Sequence, residues 1–282
     1  IDPTYALAYV GLADCYVLLE QYAGVPGQET YPRAVAAASR ALEIDNSLAE
    51  AHTTLAFANC ALWNWEKSEQ GFKFSISLDA NYPTTYHWYS ILLHTLGRHE
   101  EAFTAIKRAR ELDPLSPVIG INVAIAYYME GQYERALQEI DAVLRIDSSF
   151  SPAYYRKSQS YVKMGRVQEG YAASLKGVQA SGRSGEALSF LGYCAGLLGR
   201  KDEASNLAKE LEQRFATGTC PGYYIARVYA GLGDDKNIFK WLNADFENHS
   251  GTMIWLQQDR EWDSYRSDPR FIDLLKKIGL AK

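Results

Sequence analysis

The residues of this 282-residue chain that could do chemistry are few and loosely grouped. Gly192-Tyr193-Cys194-Ala195-Gly196 has the outline of a nucleophile motif with cysteine in the central place. Such a motif needs a strand-to-helix elbow that lifts the nucleophile clear of the backbone. This stretch lies inside an expected helix, where its glycines serve close helix packing instead. His87 and His94 are seven apart and share a helix face, and His99 follows. Together they outline a metal site, yet no carboxylate joins the first two at ligand spacing, and a structural zinc takes four ligands. Phosphate-cradling G-x-x-x-x-G-K-[ST], dinucleotide-binding G-x-G-x-x-G and zinc-binding H-E-x-x-H patterns do not occur. No catalytic residue, cofactor or metal is therefore expected, and the chain is not read as an enzyme. Glu100-Glu101 and Asp234-Asp235 are placed to favour helix N-termini. Trp63, Trp65 and Trp88 are suited to wedging between helices, with ligand stacking as the alternative use.

Composition narrows the classes further. The formal charge of −5 gives no reason to expect nucleic-acid binding. Arg145, Arg156, Lys157, Lys163, Arg166 and Lys176 gather in the middle of the chain, but scatter over two helices without forming one stripe. Cys15, Cys60, Cys194 and Cys220 lie far apart without a C-x-x-C pair, which argues for buried or half-buried thiols in a reducing compartment rather than disulfides or a zinc site. No apolar run reaches the length of a membrane helix, and no signal peptide is visible. A cytoplasmic location is expected, with the outer side of a membrane-anchored regulator as the alternative.

The elements that carry these residues repeat. Gly97, Gly131, Gly165, Gly199 and Gly233 follow one another at a fixed interval, and Ala102, Ala136, Gly170, Ala204 and Ile238 keep the same step five places behind. A fixed period of this length marks a stack of small supersecondary units. In Pro83–Ser116, Tyr86, Tyr89, Ser90 and Leu93 lie on one helical face, and Ala102, Ile106 and Ala109 lie on another. Gly97 turns the chain between the two helices, and Pro114 ends the second. Small residues at Ser90, Ala102 and Ala109 let backbones approach.

These residue classes resemble the tetratricopeptide repeat. The resemblance implies an all-α, right-handed α-solenoid of about seven helix hairpins with a C-terminal capping helix. One solenoid over 1–282 is expected, with repeats 6–48, 49–82, 83–116, 117–150, 151–184, 185–218 and 219–252 and a cap in 253–282. The first repeat carries an insertion between Tyr16 and Ala34 that reads as a long loop. The last departs from the pattern at Ile238 and Asp245. In the cap, Asp268-Pro269 looks like a helix start, Phe271, Leu274, Leu275 and Ile278 form an apolar stripe, and Gly279 ends it. Pro3 falls late in a repeat, which reads as a piece of a longer protein.

Trp63-Asn64-Trp65-Glu66, Tyr86-His87-Trp88-Tyr89 and Arg266-Ser267-Asp268-Pro269-Arg270-Phe271 resemble the C-terminal repeat regions of bacterial multidomain regulators. There the repeats follow a winged-helix, adenylate cyclase or Ser/Thr kinase domain. The family's first helices line a concave groove. On this chain that places Phe57, His87, Ile91, His94, Ile121, Ile125, Tyr128, Tyr155, Gln159, Tyr193, Tyr223 and Arg227 as partner-binding candidates. The Lys and Asn residues with which chaperone-binding members clamp a C-terminal carboxylate are missing. The chain reads as a protein–protein interaction scaffold, the sensor or docking part of a bacterial signalling or transcriptional regulator. Its partner would be a peptide or the chain's own upstream domain, with no nucleic acid and no membrane, in a monomer or weak dimer. A small-ligand sensor with its site near His87, His94 and Trp88 is the alternative.

Overall fold

The computed structural model describes residues 3–281, and these are helical with no strand. The fold is an α-solenoid of antiparallel helix hairpins with a C-terminal helix, and its contacts divide it into two units.

The first unit takes residues up to Asp113 together with Phe246–Gln258 and the chain from Asp273. Its hairpins are α1 (Ala6–Ala23) with α2 (Gly27–Ile44), α3 (Ala49–Ala61) with α4 (Trp65–Leu78), and α5 (Pro83–Thr95) with α6 (His99–Leu112). Ala56, Phe72, Leu92, Leu93 and Ala102 are among the buried residues of its main apolar cluster. The insertion after Tyr16 does not form the expected long loop. It lengthens α1 and α2 to 18 residues each and leaves a short connection closed by Gly24 in the left-handed region. The reason is in α2 itself, where Thr30, Tyr31, Ala34, Ala37, Ala38 and Ala41 fall at helical spacing and are all buried.

The second unit comprises Pro114–Asp245 and Asp259–Ile272. Its hairpins are α7 (Pro117–Met129) with α8 (Tyr133–Ile146), α9 (Ser151–Lys163) with α10 (Val167–Ala180), α11 (Gly185–Leu197) with α12 (Lys201–Ala216), and α13 (Gly222–Leu232) with α14 (Asp235–Glu247). Despite the departures at Ile238 and Asp245, the second helix of the last repeat is formed. Asp245 is buried there and accepts the Gly222 N–H at 2.6 Å, satisfying a donor at the start of α13. After α14 come two 3-10 helices, Gly251–Trp255 and Arg260–Tyr265, and α15 (Pro269–Lys277). Asp268 accepts the Arg270 N–H at 2.8 Å, and Phe271, Leu274, Leu275 and Ile278 are buried.

The repeated glycine has a specific task. Gly97 sits at φ +74 while its N–H and that of Arg98 reach back to the carbonyls of His94 and Leu93, at 2.9 and 2.8 Å. This pair of bonds closes the helix end in a Schellman motif. Trp63 occupies the corresponding place after α3 at φ +61, with the same two bonds to Cys60 and from Asn64 to Asn59. A non-glycine residue in this region is strained. The Trp63 ring stacks on Phe246 and His249, with centroids 5.5 and 4.8 Å away.

Candidate functional site

Each unit carries part of the off-period tail on the face formed by its first helices. In the first unit the tail segment is Phe246–Gln258. Glu20 on α1 is its anchor. Its carboxylate receives the Tyr31 hydroxyl at 2.5 Å, the Ser250 hydroxyl at 3.0 Å and the Gly251 N–H at 2.9 Å. Burial raises the Glu20 pKa above the ordinary carboxylate value, against the lowering effect of these hydrogen bonds. Ile254 enters the apolar cluster that also holds Trp88, Ile91 and Leu92. Gln258 donates to the Thr95 hydroxyl at 2.9 Å, and the Trp65 indole donates to the Ile278 carbonyl at 2.8 Å.

In the second unit the tail segment is Asp259–Ile272. Most of its hydrogen bonds run to α9 and α13. Arg227 donates to Asp259 Oδ2 at 2.8 Å and to Ser189 Oγ at 2.9 Å. The Tyr223 hydroxyl donates to the same carboxylate oxygen at 2.9 Å and accepts the Trp262 indole N–H at 2.7 Å. Gln159 donates to Glu261 at 2.8 Å, and Lys163 reaches Asp263 at 2.8 Å and the Arg260 carbonyl at 2.6 Å. Arg260 itself points to the rings of Tyr128 and Tyr133 and donates to the Tyr133 hydroxyl. Burial works against the charge of Arg227, yet Glu261 and Asp259 together hold its pKa above the ordinary arginine value. Burial, and then the charge of Asp259, raise the Glu261 pKa.

The structure sorts the twelve candidate residues by what they touch. Gln159, Tyr223 and Arg227 bind the tail directly, and Tyr128 lies under Arg260. Tyr193 is half-buried, with its backbone against Gly231. Ile121 and Ile125 are core residues, buried with Ile140, Val143 and Ala153. Tyr155 is buried, stacks on Phe190 at 5.7 Å and lies within 3.1 Å of the Ser184 hydroxyl. In the first unit Phe57 stacks on Trp88 at 4.6 Å, and Ile91 is in the main cluster. His87 and His94 are buried, His94 with Nδ1 3.1 Å from Nδ1 of His99. Burial lowers the His87 pKa to about 4; burial and then His99 lower that of His94 to about 3.

Sequence reasoning missed Glu20, Ser250, Asp259, Glu261 and Trp262. The signal lay in the polar residues at packing-free positions. An arginine on the apolar helix α13, Arg227, calls for a buried partner, and the tail holds a dense acidic and aromatic run at Asp259–Asp263. Cys194 sits within α11, buried beside the hydroxyls of Ser158 and Ser174, and burial raises its pKa. That is the reverse of what activates a nucleophilic thiol. A cavity of about 640 Å³ opens in the first unit among Ile76, Tyr86, Tyr89, Leu93, Arg108 and Glu111. Among the described residues, no helix is long and apolar enough to cross a membrane.

Residues 93–160 match the family described as tetratricopeptide repeat. Small glutamine-rich tetratricopeptide repeat-containing protein 2 of Mycosarcoma maydis is 37% identical over 78 residues, covering 28% of this chain and 22% of that protein. Anaphase-promoting complex subunit 3 of Schizosaccharomyces pombe is 23% identical over 148 residues, covering 52% of this chain and 21% of that protein. The chain thus spans about a fifth of the length of the curated relatives it matches. The solved structure of TTC0263, a thermophilic TPR protein of Thermus thermophilus, is similar with a TM-score of 0.57 at 17% identity, covering 67% of this chain and 98% of that one. Residues 93–160 thus carry the tetratricopeptide-repeat pattern, and the chain's helix hairpins, most of them closed by left-handed glycines, share the fold of that solved structure.

Proposed function

We propose that this chain is a protein-interaction scaffold whose first-helix faces hold a non-repetitive peptide segment. Proteins of this repeat family generally act as interaction scaffolds, which supports the broad reading. The observation that carries the finer one is the seating of the tail in the second unit. There Gln159, Tyr223 and Arg227 hold a 3-10 segment through side-chain hydrogen bonds, the way a receptor holds a ligand. In this reading residues 250–265 fill the faces until a partner segment takes their place. The resemblance of the Trp63–Glu66, Tyr86–Tyr89 and Arg266–Phe271 stretches supports a place as the docking part of a bacterial signalling or transcriptional regulator.

The test is to pan a displayed library of random peptides against the full chain and against the chain carrying Gln159→Ala and Tyr223→Phe. Enrichment by the parent chain that is lost in the double variant is expected. Enrichment no greater than on bare support, or equal binding by the variant, would overturn the reading.

A further inference from the structure

The second unit's receiving face is built to read negative charge. Arg227 is 3% exposed, its guanidinium lies 4.1 Å over the Phe190 ring, and its ion-pair partners are Asp259 at 2.8 Å and Glu261 at 3.7 Å. Glu186 on α11 adds a smaller attraction from the face itself. Arg156 and Lys163 on α9 approach Asp259 and Asp263, at 3.9 and 2.8 Å. Taking the tail away would remove the two closest counter-charges of Arg227 and open its guanidinium to water beside the Phe190 ring. An open face therefore favours another acidic occupant.

The tail fills this role imperfectly. Arg227 Nε faces Glu261 at 3.7 Å and Arg156 faces Asp259 Oδ1 at 3.9 Å, both ion pairs longer than a hydrogen bond. Contacts of this length are weaker than charge-assisted hydrogen bonds. A segment whose carboxylates meet Arg227 more squarely would bind better than the tail does. The aromatic contact is well made by comparison. Trp262 is fully buried, edge-on to Tyr223 at 5.5 Å, and its N–H is satisfied.

We propose that this face is a receptor for a partner segment of the pattern acidic–any–acidic–aromatic, for which Asp259-Arg260-Glu261-Trp262 is the chain's own stand-in. The proposal rests on the peptide-holding reading above and specifies its ligand chemistry. A long cation at the second place is favoured, since Arg260 reaches the rings of Tyr128 and Tyr133.

The experiment uses the full chain with D259N and E261Q, which loosen the tail and leave the receiving residues intact. A fluorescent peptide with the sequence of residues 252–266 is titrated by anisotropy, beside one carrying the same two amides and one with alanine in place of Trp262. The loosened chain should bind the acidic peptide at least about tenfold tighter than the parent chain does, and each altered peptide at least about tenfold weaker. Equal binding of acidic and amide peptides overturns the inference but leaves peptide holding intact; no binding of any peptide overturns both. If the double variant does not fold, hydrogen exchange of the parent chain decides. Excess acidic peptide should speed exchange in residues 259–265, and unchanged exchange at saturation overturns the proposal. Tail exchange between isotopically distinct copies in a dimer would name a second copy as the occupant and likewise overturn it.

Discussion

Glu20 and His87 are buried ionisable side chains of the same unit, and they tilt its stability in opposite directions with pH. Burial raises the Glu20 pKa, so the folded chain holds that proton more tightly than the unfolded one. Its contribution is greatest below pH 4.5 and is lost as pH rises through the raised value. His87 has its pKa lowered to about 4 by burial, so the neutral ring is the folded form. Its contribution is full above pH 6.5 and is lost as pH falls toward 4, a change of about 3 kcal/mol if the whole shift is realised. Urea unfolding from about pH 4 to 8 should therefore show a flatter neutral limb in Glu20→Gln and a flatter acid limb in His87→Gln. Parallel curves for parent and variant would show that the group titrates alike in both states. Neither role is legible in the sequence. Glu20 reads as one more surface acid on α1 until Ser250 and Gly251, some 230 residues later, are seen to donate to it. The repeat pattern puts His87 on a first helix among the groove candidates but does not reveal that its ring is buried.

At the scale of elements the sequence is more explicit, because helix ends and helix crossings are local matters. The five glycines at constant spacing name the positions where the chain must take a positive φ. Close approaches are just as strict. A Cβ on Gly196 would lie 2.4 Å from the backbone carbonyl carbon of Gly231, and neither backbone has a flexible end that could yield. Gly196→Ala should cost about 1–3 kcal/mol and lower the melting temperature, whereas the same change at an exposed helix site is neutral or stabilising. An unchanged melt would mean that α11 and α13 do not cross where described. What the pattern does not reveal is which side chains of a first helix pack and which remain for binding. Tyr155 and Gln159 are one turn apart on α9, yet Tyr155 is held against Phe190 while Gln159 reaches Glu261. The insertion in the first repeat misleads for a related reason. Its Gly and Pro residues signal a loop, but the alanines that follow extend a buried stripe back through them.

At the scale of the whole molecule, the tail is divided among the two units. Phe246–Gln258 and the chain from Asp273 belong with the first hairpins, and Asp259–Ile272 with the later ones. No period marks this stretch, so its destination depends on charge and shape that a repeat search does not weigh. Removing residues 246–282 should strip Trp63 of its two stacking partners and Glu20 of the Ser250 and Gly251 donors. Hydrogen-exchange protection in α1–α5 should then fall, although the cut lies at the opposite end of the chain. Protection as in the parent chain would show that the hairpins hold without it.

The Glu20 anchor also sets an order of events in time. A stack of hairpins ordinarily folds as it is made, each new pair settling on the one before. Here α1 is made some 230 residues before Ser250 and Gly251, which complete the partners of its buried carboxylate. Until residue 251 has been made, the hairpin of α1 and α2 carries an acid that must stay wet, and its final burial waits for the hairpins from α3 to α14 that lie between.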